Sequence, residues 1–376
     1  MSAGLSRSVD RRSLLEWLRP HVFVFDRPLL TGLLLLVLIS LATQYSAAYD
    51  FPGRFDGHVR NLLVAGIALW VAAMVPPAAL MRMAVPLYGV GVALLVAVAL
   101  FGVTNKGAQR WLDIGITRIQ PSEVLKIATP LMLAWYFQQR EGTLRWTDFL
   151  IAALILMVPV GLIAKQPDLG TAILVLAAGG YVIFFAGLAW RVIVGLIVAG
   201  LGALPLLWMV MHEYQRQRVL TLIDPTSDPL GKGFHIIQSM IAVGSGGVFG
   251  KGWMQGTQTH LEFIPERTSD FILAVYAEEF GLLGVAVLMA IYLAILGRGL
   301  LIAGSGGSTF GRLLAGSITM SFLTYCFVNM GMVIGILPVV GVPLPFMSYG
   351  GTAMVTLGLG TGMLMSIHRH RTLVQS

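Results

Sequence analysis

Charge is scarce in this chain. Of its 376 residues only 11% are Asp, Glu, Lys or Arg, whereas 56% are hydrophobic. A soluble domain carries about 25% charged residues, so a water-soluble globule is excluded. Cysteine is nearly absent too. The single one, Cys326, sits in an apolar run, permits no intramolecular disulfide and fits no metal pattern. It reads as a small packing residue. No GxxxxGK[ST], HExxH or paired-Cys pattern occurs, so nothing points to ATP hydrolysis, zinc or a bound redox cofactor. No internal or inverted repeat is found. The first apolar run lacks a small-residue cleavage site after it and reads as a true span.

What the chain does have is apolar runs. A spanning helix takes roughly 20 mainly apolar residues. Ten such spans are read, at 28–48, 60–78, 84–103, 122–138, 149–165, 168–187, 190–211, 270–297, 313–337 and 350–367. The expected fold is therefore an all-α integral membrane protein of about ten transmembrane helices, with residues 1–376 as one polytopic domain. An even count puts both termini on one side. With the termini inside, the inner segments hold thirteen basic residues against five acids, and the outer segments eleven against ten. Lys and Arg gather on the cytoplasmic side, so both termini are expected to be cytoplasmic. The same rule explains the formal charge of +7 without nucleic acid, which is not an expected partner.

Two outer segments are too polar to span, 104-TNKGAQRWLDIGITRIQPSE-123 and the long stretch 212–268. Loops beyond about 12–15 residues are uncommon unless functional. Within the second, 233-GFHIIQSMIAVGSGGVFG-250 is apolar yet broken by glycines and reads as a short interfacial helix. GSGG recurs at 244 and 304 and reads as linker chemistry.

The ionisable residues that the apolar pattern does not excuse are few. Glu123 and Lys126, three apart, share one helix face, either as a self-neutralising pair or as a polar cavity wall; both readings point inward. Asp168 reads as an N-cap of the sixth span, with a site role left open by its side of the membrane. Asp270 stands where a charged approach, 262-EFIPERTS-269, meets an apolar run. It is either another N-cap or the acid of a site. At 100° per residue Glu278 lies about 80° round from Asp270 and Glu279 near 180°. Only Glu278 could share its cavity, about 12 Å deeper, and interhelical hydrogen bonding is expected for both glutamates. Arg110, Arg118, Arg216, Arg218, Lys232, Lys251 and Arg267 lie in loops on Asp270's side. Each alone suits solvent; together they could cradle phosphate. Trp111 and Trp253 suit interface anchors. The segment 341-GVPLPFMSYGGTA-353, with Ser348 inside it, cannot make a plain helix. Irregular backbone at membrane depth belongs where it is buried or lines a cavity, so this is a candidate wall of the site.

One carboxylate and several cations suit a particular chemistry. Hydrolysing an ordinary glycoside takes two carboxylates. A pyrophosphate departs unaided if cations neutralise its developing charge, so one carboxylate suffices as base for the incoming hydroxyl.

The motifs 121-PSEVLKI-127, 166-QPDLGTA-172, 252-GWMQGTQ-258, 263-FIPERTSDFILAVYAEEFG-281 and 345-PFMSYGGT-352 jointly resemble the SEDS family (shape, elongation, division and sporulation). The likeness runs from the first span to the last. Pro-Glu-Arg before the acid resembles the elongation branch more than the division branch. The departures are Ser269 in place of a Thr and Tyr276 at an ordinarily aliphatic site. The resemblance implies a ten-span SEDS-type fold with one long extracytoplasmic loop. It implies a peptidoglycan glycosyltransferase of the bacterial cytoplasmic (inner) membrane, which polymerises lipid II. It places the essential acid on Asp270, the cavity pair on Glu123 and Lys126, the first long-loop tryptophan on Trp111 and the acid of the QPDLGT turn on Asp168. Substrate contacts are further expected from Arg110, Arg216, Arg218, Lys251, Glu266, Arg267 and Ser348. No protein metal site or fixed cofactor is expected; a divalent cation, Mg or Mn, is left open. The partners implied are a class B penicillin-binding protein and other membrane proteins of the elongation complex. Three other readings stay open: a lipid II flippase, a non-catalytic scaffold for the wall machinery and the division-specific paralogue.

Overall fold

The computed structural model describes residues 24–371 except 106–107, 114–117, 167, 212, 225–231, 262 and 265. The expected inner arginines Arg7, Arg11, Arg12 and Arg19 lie outside the described residues, as do the side chains of Arg118, Arg218 and Lys232. Among the described residues, each expected span coincides with a helix. They are α1 (Arg27–Ala47), α2 (Arg54–Met74), α3 (Pro77–Phe101), α4 (Pro121–Gln139), α5 (Trp146–Lys165), α6 (Leu169–Phe185), α7 (Trp190–Val210), α11 (Ile272–Gly304), α12 (Thr309–Val333) and α13 (Gly351–Arg369). Six of them are long and apolar enough to cross a bilayer on composition alone. α4 and α13 are more polar because much of their surface is buried in the bundle rather than turned to lipid. Local chemistry sets the starts: the Asp26 carboxylate accepts from Leu29 N at 3.0 Å at the head of α1, and Ser308 accepts from Gly311 N at 3.1 Å at the head of α12.

α2 and α13 pack most closely. A Cβ on Gly358 or Gly362 would lie 2.4 Å from Ala65 O or 2.3 Å from Leu69 O, so only small residues permit this approach. α7 is the opposite case, with no buried residue among those described.

The first outer segment holds a feature that the helical reading did not anticipate. β1 (Val103–Asn105), β2 (Ala108–Asp113) and β3 (Arg118–Ile119) form an antiparallel sheet in that order, with Val103 opposite Trp111 and Leu112 opposite Ile119.

The long connection between α7 and α11 contains α8 (Glu213–Ile223), α9 (Lys232–Ser245) and the short α10 (Thr257–His260). α9 packs on α11 and α12, burying Ile236, Ser239 and Ala242, and Ser239 Oγ donates to Val333 O at 2.7 Å. After α9 the chain enters a break in α11 at Gly281, where φ is 65°. Lys251 N and Gly252 N donate to Glu278 O and Glu279 O, and Leu282 N and Leu283 N donate to Gly247 O and Val248 O, all at 2.9–3.1 Å. In an unbroken helix Glu278 O and Glu279 O would accept from Leu282 and Leu283. The glycine-rich segment at 244 therefore completes a broken helix; it is not a linker. Backbone polar groups at this depth need protein partners, and the segment supplies them.

Candidate active site

Asp270 lies in a turn over 266–271, at the end of the bundle where α11 begins. The residue that caps α11 is Phe271, without a side-chain hydrogen bond. Asp270 stands one residue before that cap position. The turn is tied down from several helices. Gln44 of α1 donates from Nε2 to Thr268 O at 2.7 Å and to Met347 O at 2.8 Å. Asn329 of α12 donates from Nδ2 to Asp270 O at 2.9 Å and to Val342 O at 2.8 Å. Tyr349 N donates to Thr268 O at 2.8 Å. Arg54, at the head of α2, reaches Thr268 Oγ1 at 3.1 Å and lies over the Tyr349 ring at 4.0 Å.

The non-helical 341–349 segment forms one wall, as its prolines imply. A Cβ on Gly341 would stand 3.6 Å from Asp270 Oδ2, so the carboxylate faces this backbone. Tyr292 OH donates to Pro345 O at 2.9 Å. On the wall's other side, a Cβ on Gly170 would lie 2.7 Å from Val340 O. The head of α6, with Asp168, thus flanks the same strand of chain. Asp168 caps Thr171 N at 3.3 Å, accepts from Gln120 Nε2 at 3.2 Å and faces Arg110 Nε at 3.9 Å. Asp168 therefore serves both as a cap and beside the wall. Trp111 lies in β2, half-buried, beyond Arg110.

Glu123 and Lys126 are paired at 2.6 Å. Glu123 also accepts from Thr356 Oγ1 at 3.2 Å, and the Lys126 ammonium lies 5.5 Å from the Tyr325 ring centre. Tyr325 and Asn329 are four apart on α12, about one helical turn or 5–6 Å, so Tyr325 stands between the pair and the residue that binds Asp270's carbonyl. Lys126 and Tyr325 open onto an interhelical cavity lined also by Pro130, Leu174, Ser321 and Thr361.

Several other candidates make structural contacts. Arg267 is buried: it pairs with Asp50, donates to Ala47 O at 2.9 Å and Thr259 O at 3.0 Å, and lies over the Tyr49 and Phe51 rings. Its guanidinium fastens the turn, at a pocket lined also by Phe51, Arg54, Glu266 and Thr268. Ser348 is buried, and its hydroxyl accepts from Leu344 N at 2.8 Å within its own turn, so it does not face a substrate. Lys251 Nζ bonds Glu278 Oε1 and Thr257 Oγ1, each at 2.7 Å. Glu278 also accepts from Gln258 N at 3.0 Å and Thr259 N at 3.4 Å. It anchors the inserted segment instead of sharing Asp270's cavity. Glu279 accepts from Ser46 of α1, the interhelical bond expected of it. Arg216 donates to Trp208 O at 3.0 Å and Met209 O at 2.9 Å, at the end of α7. Glu266 is exposed in a left-handed conformation, φ 54°, and accepts from Ser269 Oγ at 2.9 Å. Arg218 lies outside the described side chains.

Gln44, Asn329 and Arg54 were not foreseen. A signal existed for the first two: each is an amide inside an apolar run, and polar residues within spans mark functional interiors.

A bundle of membrane-crossing helices, one non-helical wall and an acid facing that wall at the bundle's rim define a polytopic membrane protein with its chemistry at one end. The cell cycle protein family of FtsW, RodA and SpoVE matches residues 21–373, and the chain belongs to that family. It is 48% identical over 359 residues to the peptidoglycan glycosyltransferase MrdB of Escherichia coli K12, covering 95% of this chain and 96% of that protein. Its fold matches the rod shape determining protein RodA of Thermus thermophilus with a TM-score of 0.71 at 28% identity, over 93% of this chain and 98% of that one. It also matches a chain of a peptidoglycan synthase complex that coordinates polymerization and crosslinking. There the TM-score is 0.81 and the identity 32%, over 94% of this chain and 100% of that one.

Proposed function

We propose that this chain is a peptidoglycan glycosyltransferase that polymerises lipid II into glycan strands during cell elongation. The observation that carries the reading is the placement of Asp270: an acid set in a turn tied to α1, α2 and α12, its carboxylate beside Gly341 of the irregular wall. Likeness to MrdB and RodA over nearly the whole chain supports the elongation role. The excess of basic residues in the segments on the far side from Asp270 supports cytoplasmic termini in the bacterial inner membrane, with Asp270 outside.

In the reaction, the Asp270 carboxylate takes the proton of the acceptor's N-acetylglucosamine 4-hydroxyl. That oxygen attacks the anomeric carbon of the donor's N-acetylmuramic acid. The bond from that carbon to the pyrophosphate breaks, its electron pair leaving with undecaprenyl pyrophosphate. A β-1,4 linkage forms with inversion. Arg110, beside Asp168, and Arg54, beside Thr268, flank the wall and the turn, and are assigned to the pyrophosphate. Lys126 supports the site from within the bundle. Among the described residues no three His, Cys, Asp or Glu side chains gather; Mg2+ sites commonly use one or two carboxylates plus substrate phosphates. Mg or Mn would arrive on the pyrophosphate itself. A class B penicillin-binding protein is the proposed partner, with other elongation-complex membrane proteins. Similarity to a chain of a synthase complex supports that pairing.

The test is a gel of products from purified protein and lipid II, with and without the partner. Asp270→Asn is expected to lower polymerisation by about 10²–10⁴-fold, the range for a lost general base. Near-normal polymer from that variant removes the base assignment. Transfer of lipid II across vesicles without glycan product would favour a flippase.

A further inference from the structure

Two carboxamides hold the turn of Asp270, and both are fully buried. Asn329 spans Asp270 O and Val342 O; Gln44 spans Thr268 O and Met347 O. Each gives both protons of one NH2 group to main-chain carbonyls, one in the turn and one in the wall. Only the NH2 face of an amide can meet two carbonyls, so the chemistry fixes which way each points. One amide comes from α1 and the other from α12. The turn and the wall are thereby fastened to one another at two places, from two helices.

A further observation supports a positioning role. Glu266 and Phe346, neither a glycine, sit at φ 54° and 57° in the two fastened segments. Such conformations persist only where the surroundings over-determine them. Two carbonyl locks on each segment supply that constraint.

Building on the reading of Asp270 as base, we propose that Asn329 and Gln44 are positioning residues for the transfer: together they set the distance between the Asp270 carboxylate and the 341–349 wall. Neither amide needs to touch the substrate. Both reacting sugars arrive on flexible lipid carriers, so the base and the wall must be fixed in advance. A misplacement of about 1 Å can lower a rate about 10²-fold.

The test uses the full-length chain with its partner and lipid II. Asn329→Asp and Gln44→Glu keep size and shape but turn an oxygen toward each carbonyl. Asn329→Gln and Gln44→Asn keep the donors at the wrong reach. kcat is expected to fall about tenfold to a hundredfold with KM within about twofold, since binding groups are untouched. The pH profile is the readout that a purely structural role would not move. With the base displaced, solvent hydroxide replaces it, and the residual rate should climb steeply with pH, as in Asp270→Asn run beside them. Folded variants that keep wild-type kcat, or that lose rate with an unchanged pH profile, overturn the proposal. So does a set in which all four lose their cooperative melting transition, since the amides would then serve folding alone. Near-normal activity in Asp270→Asn overturns the base reading instead, a separable failure.

Discussion

Gly250 and Gly281 meet backbone to backbone where the inserted segment enters α11. A Cβ on Gly281 would lie 2.3 Å from Gly250 N, and one on Gly250 would lie 2.1 Å from Glu279 O. Gly281 also needs its positive φ of 65°. No flexible side chain can move aside, because main chain is met on both faces. Gly281→Ala should therefore destabilise the protein by about 2–4 kcal/mol, combining left-handed strain and overpacking. Gly297→Ala, in the same helix with open space around it, should be neutral or slightly stabilising. Thermal melting of the detergent-solubilised variants checks this. Equal melting temperatures would mean that the segment does not enter the helix.

Glu278 draws the inserted segment together. Its buried carboxylate accepts from Lys251, Thr257, Gln258 and Thr259. Removing one partner of a buried ion pair costs about 3–5 kcal/mol, because the other charge is left behind. Glu278→Gln and Lys251→Met should each lower stability. The double variant should lose less than the sum of the two. Protease susceptibility near residues 251–260 should rise in the singles. Strict additivity in the cycle would show that the two side chains act independently.

Glu123 and Lys126 call for a different experiment, because pairing and substrate contact are both compatible with an inward-facing pair. Either single neutralisation strands a charge inside the bundle and should reduce melting temperature. Glu123→Gln combined with Lys126→Met removes both charges and should restore most of the stability. Lys126 also faces the interhelical cavity lined by Pro130, Ser321 and Tyr325. Polymerising activity is therefore expected to stay at least about tenfold down in the double variant, about 1.4 kcal/mol at the transition state. Recovery of activity along with stability would make the pair purely structural.

Much of this architecture was legible in the residues. Ten apolar runs gave ten helices because a bilayer demands length and apolarity from every span. The i, i+3 spacing of Glu123 and Lys126 made their pairing readable, and prolines disclosed the irregular wall. The break at Gly281 was not legible, because an interrupted helix and a continuous one share the same apolar composition. Its partner segment looked like a linker, since glycine marks flexibility and close approach alike. The buried pairing of Arg267 was hidden for another reason. Its acid, Asp50, lies far off in sequence, and only the fold brings the two together. The setting of Ser348 was hidden similarly: its hydroxyl accepts within its own turn, a geometry that composition does not encode.

At the end of the bundle away from Asp270, a second ionic tie supplies a pH prediction. Arg298 of α11 donates to both Asp26 oxygens, at 2.9 and 2.6 Å, and His368 Nε2 of α13 lies 3.2 Å from one of them. Asp26 thus joins α1, α11 and α13. Burial acts to raise its carboxyl, but the Arg298 hydrogen bond, the Leu29 N–H and the nearby positive charge outweigh it and hold it below the ordinary value of 3.8. A carboxylate lowered in the folded state stabilises fully above its unfolded pKa, and that stabilisation is lost as pH falls through the folded value. Apart from any charge on the neighbouring His368, the Asp26 carboxylate should therefore contribute a constant amount between pH 5 and 8. Asp26→Asn leaves the half-buried Arg298 without its anion and should cost on the order of 1–3 kcal/mol at pH 7. Compared in a His368→Gln background, so that the imidazole does not titrate against Asp26, the melting-temperature gap opened by Asp26→Asn should hold flat to about pH 5, then close below about 3.8 as the native carboxylate takes up its proton. A gap that widens on acidification would mean that the Arg298 contact does not stabilise the ionised form.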